Sequence, residues 1–125
     1  MKMKNAINWF EIPVKNFDKA KEFYETIVGA EMILVEAMGI KSAFFPADLI
    51  NGSIGGCIIK GQDYKPSKKG TIVYLNGGED LSVPLAKVEA AGGKILLPKT
   101  AIGPNGFKAY FEDTEGNKVG LHSIK

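Results

Sequence analysis

Gly29-Ala30-Glu31-Met32-Ile33-Leu34 and Gly92-Gly93-Lys94-Ile95-Leu96-Leu97 decide the fold, because they repeat one local event at an offset of 63 residues. In each, glycine follows a helical pattern and an apolar run begins at once. Glycine takes the left-handed conformation that ends a helix at little steric cost, so both stretches read as helix exits into strands. The first half of the chain has a copy in the second.

Upstream of the first exit, Ala20, Phe23, Tyr24, Ile27 and Val28 recur at helical spacing. Asn16 is placed to cap that helix, and Asp18 lies in its first turn, near the positive end of the helix dipole. The spacing predicts a helix over 17–28, preceded by an alternating strand over 6–14. Three strand-like runs follow, 30–37, 41–46 and 54–60, broken at Gly39 and around 48–52. Residues 61–69 are polar, contain Pro66 and have no period, so they form a connector. The order then recurs. A strand over 70–76 leads to a helix with Asp80 as cap candidate, running through Leu85, Val88 and Ala91. Pro84 is tolerable there only in the first turn. Strands over 94–97, 107–112 and 118–124 complete the second half, with a turn at 113–117. The expectation is one α+β domain of two βαβββ modules, about 5–60 and 70–125. One helix per half covers only one face of each sheet, leaving concave faces to form a partly closed, mixed-sheet barrel around a cleft.

Composition narrows the function. With 125 residues, 45% hydrophobic and 24% charged, the chain is an ordinary globular domain. A formal charge of +2 is too mild for a nucleic-acid surface. All sixteen basic residues are lysines, so no planar guanidinium can grip a phosphate or carboxylate in bidentate fashion. Cys57 is the single cysteine, which argues for a reducing, cytoplasmic setting rather than a disulfide framework. The start, Met1-Lys2-Met3-Lys4-Asn5, is not a signal peptide, and no run of eighteen apolar residues suggests a membrane partner. Glycine spacings here lack the strand–helix context and following Lys-Ser/Thr of a phosphate loop. Ser53, Ser82 and Ser123 lack a nucleophile elbow. The lysines within 65–69 read as a solvated loop.

With Phe23-Tyr24, Ala90-Ala91-Gly92-Gly93-Lys94 and the ending Phe111-Glu112-Asp113-Thr114-Glu115-Gly116-Asn117-Lys118-Val119-Gly120-Leu121-His122-Ser123, the duplication resembles the vicinal oxygen chelate superfamily. That superfamily holds glyoxalase I, bleomycin- and fosfomycin-resistance proteins and extradiol dioxygenases. The opening Trp9-Phe10-Glu11-Ile12-Pro13-Val14 is similar to the branch of predicted enzymes related to lactoylglutathione lyase. The resemblance implies a homodimer. It also implies metal ligands, His or Glu, on the first and last strands of each half. Those positions fall at Trp9, Gly56 or Cys57, Thr71 and Gly120, none of which is His, Asp or Glu. No metal or other cofactor is therefore expected, since a lone thiolate does not make a site.

Glu11 and His122 are the candidate catalytic residues. In the superfamily's register they share faces with Trp9 and Gly120, and a carboxylate can orient an imidazole as general base. The alternative is that each is satisfied separately at a sheet end. Trp9 is either a stacking platform or core filling. Cys57, Thr71, Phe107 and Tyr110 are candidates to line the ligand site. The leading expectation is a metal-independent protein binding an unidentified small molecule. A metal-dependent lyase, isomerase or dioxygenase with displaced ligands, and a protein that only sequesters a drug or metabolite, are the alternatives.

Overall fold

The computed structural model describes residues 4–125, so Met1 to Met3 of the start read above lie outside it. The first half contributes β1 (Trp9–Pro13), α1 (Phe17–Val28), β2 (Ile33–Ala37), β3 (Ile40–Phe44) and β4 (Gly55–Lys60). The second contributes β5 (Tyr74–Asn76), α2 (Ser82–Leu85), β6 (Lys94–Ala101), β7 (Phe107–Glu112) and β8 (Lys118–Ser123). Each half makes one four-stranded mixed sheet, ordered β1-β4-β3-β2 and β5-β8-β7-β6. In both, the first strand runs parallel to the last and the other pairs are antiparallel. The α+β architecture and the tandem modules are as the sequence implied. Closure is not, because the two sheets stay separate.

The reason lies in α1. Asn16 caps it, its side chain accepting the Lys19 N–H at 3.2 Å, and Gly29 ends it at φ 72°. Between those ends Phe17, Ala20, Phe23, Tyr24 and Ile27 are buried. Phe23 and Tyr24 are consecutive and so point about 100° apart around the axis, which gives the helix a wide apolar arc rather than a stripe. One arc serves two sheets. The Tyr24 ring meets Phe45 of the first half at 5.4 Å and Phe111 of the second at 6.3 Å, while Phe23 packs on Phe111 at 5.8 Å. Ile12, Ala43 and Ile58 from one sheet and Ala109, Phe111 and Leu121 from the other join the same core. The helix layer therefore lies between the sheets, and their other faces turn away from the shared core rather than toward each other.

Polar groups lock this arrangement. The buried Tyr24 hydroxyl donates to Asp113 Oδ2 at 2.7 Å, across 89 residues. Asp113 also accepts the Glu115 and Asn117 backbone N–H groups and the Asn117 side-chain amide. Burial pushes the Asp113 carboxyl up against those hydrogen bonds, and burial with the nearby carboxylate pushes the Tyr24 phenol up as well. The same turn closes the start of α1. Glu115 Oε1 accepts the Lys15 and Asn16 N–H groups at 2.7 and 2.6 Å, and Asn117 Nδ2 donates to the Pro13 carbonyl at 2.7 Å. The connector has no regular structure, yet Ser67 N donates to Asn117 Oδ1 and Lys68 pairs with Glu112.

The second helix is shorter than its pattern predicts. Asp80 does accept the Ser82 N–H at 2.9 Å, but regular helix stops at Leu85. Bonds from Lys87 N to Pro84 O and Val88 N to Leu85 O then span three residues instead of four. Strand β6 is longer than expected and runs through Pro98. It is an edge strand with register shifts after Ile95 and Leu97, where a missing N–H is tolerated. Among the described residues no helix is long and apolar enough to cross a membrane.

Candidate functional site

Alternation along each strand sorts side chains to two faces. In the first sheet, Phe10, Ile12 and Val14 go to the core, so Trp9, Glu11 and Pro13 go to the open face. Register carries the parity across: Glu11 pairs with Cys57, Cys57 with Phe44, and Phe44 with Ile33. This face is apolar. Ile33, Val35 and Trp9 are 65%, 41% and 37% exposed, and the Trp9 ring meets Phe44 edge-on at 5.2 Å. The Cys57 thiol is buried and unpaired, and burial, with Glu11 beside it, pushes its pKa to about 11. Such a thiol is a poor metal ligand at neutral pH.

In the second sheet Leu75, Ala109, Phe111, Val119 and Leu121 face the core. The open face is polar: Tyr74 and Asn76, then Lys118, Gly120 and His122, then Lys108, Tyr110 and Glu112. Tyr74 and Tyr110 flank Gly120 in one cross-strand row, with their hydroxyls 2.5 Å apart. Lys108 Nζ donates to the Tyr110 oxygen at 2.9 Å, and Lys118 Nζ lies 4.4 Å above the Tyr110 ring. In the next row the Asn105 carbonyl lies 2.6 Å from His122 Nε2, which must donate to it, because a carbonyl only accepts. Tyr74, Asn76, Ile102, Asn105, Lys108 and His122 border an open depression of about 700 Å³.

The expected site residues are thus distributed over several places. Trp9, Glu11 and Cys57 share the first open face, and Tyr110 and His122 share the second. Glu11 and His122 line separate depressions, Glu11 beside Pro13, Thr71 and Lys118, and His122 beside Tyr74 and Lys108. Thr71 precedes β5 and also borders a groove of about 880 Å³ between the halves, with Phe10, Phe45 and Gly56. Phe107 has the parity of Ala109 and Phe111 and packs toward the core, with Lys99 Nζ 4.5 Å above its ring. Tyr74, Lys108 and Lys118 were not anticipated. Their signal was available in Lys108-x-Tyr110 and Lys118-x-Gly120-x-His122, where period two puts polar groups on one face.

The chain's donor set does not fit the superfamily's metal. Among the described residues no three His, Cys, Asp or Glu side chains converge. At Gly120 a Cβ would lie 2.6 Å from the Tyr74 ring, and at Gly55 it would lie 3.1 Å from the Trp9 ring. An aromatic ring covers a glycine on each open face, so no longer side chain fits at Gly120 without displacing Tyr74.

Known proteins agree with the architecture. TnmS3, an antibiotic binding protein from a Streptomyces species, is 23% identical with a TM-score of 0.67, over 99% of this chain and 100% of that one. The fosfomycin resistance protein FosX from Listeria monocytogenes is 20% identical with a TM-score of 0.64, over 98% and 92%. A glyoxalase I variant from Zea mays is 20% identical with a TM-score of 0.67; 94% of this chain matches 45% of the maize chain. At these identities the likeness is one of fold. No curated protein matches by sequence. Residues 6–121 match the family described as the Glyoxalase/Bleomycin resistance protein/Dioxygenase superfamily.

Proposed function

This chain belongs to the Glyoxalase/Bleomycin resistance protein/Dioxygenase superfamily, and we propose that it binds a small molecule against its open sheet faces without a metal. What carries the reading is the pair of aromatic covers. The Trp9 ring over Gly55 and the Tyr74 ring over Gly120 put flat apolar surface where the superfamily resemblance would call for ligating side chains. Aromatic floors with a few convergent polar groups are the usual lining of small-molecule sites.

The bound form is a homodimer in a cytoplasmic setting. Exposed Ile33, Val35 and Trp9 on the first face favour burial against a second copy. The polar second face, with Lys108 and Lys118, is the complement of a face that carries Glu11. A ligand held between them would be enclosed, whereas in one chain each face is open.

A thermal-shift screen tests the binding. A ligand at about a hundred times its Kd adds about 2.7 kcal/mol to native stability, a rise that is readily measured. If no compound, charged or neutral, raises the midpoint, the binding reading fails. Stoichiometric zinc, nickel or iron in protein purified without chelator would overturn the metal-free part. Sedimentation tests the dimer: Ile33→Asp with Val35→Asp should leave monomers, and a wild type monomeric at high concentration removes the second copy.

A further inference from the structure

We propose that the open face of the second sheet is an anion site, built from Tyr74, Tyr110, Lys108 and Lys118, which takes the carboxylate of a small organic acid. This rests on the small-molecule reading above and names the chemistry of the ligand.

Four groups converge there. The two phenol oxygens touch at 2.5 Å, and Lys108 Nζ reaches the Tyr110 oxygen at 2.9 Å. Both lysine ammoniums lie over the Tyr110 ring, at 4.8 and 4.4 Å from its centre. Neither lysine forms an ion pair with a carboxylate among the described residues, while Glu112 on the same strand pairs with Lys68 at 3.4 Å. Two ammoniums gathered around phenol rather than carboxylate leave a positive face with hydroxyl donors. An arriving carboxylate can accept from Tyr74 or Tyr110 and sit near both lysines, and such charge-assisted bonds are the strong ones. The Tyr74 ring lying over Gly120 and the Tyr110 ring beside it, tilted by 53° with centres 5.7 Å apart, offer aromatic surface to the apolar body of the acid.

The preference of this spot for negative charge already shows on the protein's own group. The hydrogen bond from Lys108, then that from Tyr74, pull the Tyr110 phenol below its ordinary value. The ligand and the phenolate compete for the same cations. Bound acid should therefore raise the Tyr110 pKa, and affinity should fall as pH rises through it, because the phenolate repels the ligand and has lost its donor. The groups facing Tyr110 are Tyr74 on β5, Lys118 and His122 on β8, Lys108 and Glu112 on β7, and Lys94 at the start of β6.

Benzoate and its neutral analogue benzamide are the probes, followed by NMR shifts of the Tyr74, Tyr110 and His122 rings. Benzoate should bind about tenfold tighter than benzamide, the worth of one charge-assisted hydrogen bond. Lys108→Met and Lys118→Met should each reduce that advantage several-fold and leave benzamide unchanged. Tyrosine absorbance near 295 nm, with Tyr110→Phe as the blank, should report a Tyr110 titration that moves up when benzoate is present. Equal affinity for the two probes, or a benzoate affinity indifferent to both lysines, overturns the anion site. If benzamide or another neutral compound binds while benzoate does not, the anion site falls and the small-molecule reading stands.

Discussion

The two sheets have the same strand order, the same parallel pairing of first and last strands and a glycine under an aromatic ring at matching places, yet their open faces differ in kind. One presents Trp9, Phe44, Ile33 and Val35. The other presents Tyr74, Tyr110, Lys108, Lys118 and His122. Their core faces are alike, with small and branched side chains such as Ala43 and Ile58 opposite Ala109 and Leu121. Packing against α1 constrains only one parity of each strand. The other parity is free to carry chemistry, and in this chain one half uses it for apolar surface and the other for charge.

The largest effect should come from the residue that makes the halves one body. Tyr24→Ala removes a fully buried ring touching both sheets and should cost about 3–5 kcal/mol in denaturant unfolding. Tyr24→Phe keeps the ring, withdraws one donor from buried Asp113 and should cost about 1–3 kcal/mol. Both variants should unfold in one transition; two transitions would divide the shared core. Next come the two glycines. Gly120→Ala brings a methyl to 2.6 Å from the Tyr74 ring and should cost about 1–3 kcal/mol, recovered in part by adding Tyr74→Ala. Gly55→Ala meets the tip of Leu49 and the Trp9 ring edge, which can give way, and should cost less. Equal costs would erase the distinction between the two covers.

Smaller effects sharpen it. Cys57 on the apolar face should resist iodoacetamide at neutral pH until the protein unfolds, because a thiol with a pKa near 11 is scarcely thiolate. Asp80, at the second half's helix, has its carboxyl lowered from 3.8 to about 2, first by the Ser82 backbone N–H and then by Lys99. A depressed carboxyl stabilises above its ordinary value, and that contribution is lost as pH falls toward 2. Its carboxyl carbon shift should titrate near that pH, and Lys99→Met should return the midpoint only part of the way, since Ser82 remains.

Local chemistry made much of the fold legible. Asn16, the apolar spacing and Gly29 marked α1 at both ends, and the repeated glycine exits marked the duplication. Which way the halves would face was harder to read, because it depends on how wide an arc α1 buries. The adjacent Phe23 and Tyr24 are the residues that carry that information. Helix α2 eluded the pattern because three-residue bonding after Pro84 replaces the regular ladder. At the candidate site, period two tied Glu11 to Trp9 and His122 to Gly120, but it could not say that these pairs lie on the open faces of different sheets. Phe107 and Tyr110, both lining candidates, part company because three residues along β7 reverse the parity and turn Phe107 toward the core. Tyr74, Lys108 and Lys118 passed unnoticed because common surface residues acquire meaning only when register sets them beside Tyr110.

The 113–117 turn has a consequence in time as well as in energy. The loop that starts α1 is closed by Glu115 and Asn117, about a hundred positions downstream. A ribosome making this chain releases the first half long before its closing partner exists. Contacts so distant in sequence slow folding. The core face of the first sheet, which shares its core with Val119 and Leu121, therefore waits for the last dozen residues to complete it. Removing those residues should leave the first half soluble only with a chaperone's help, although every residue of its own sheet is present.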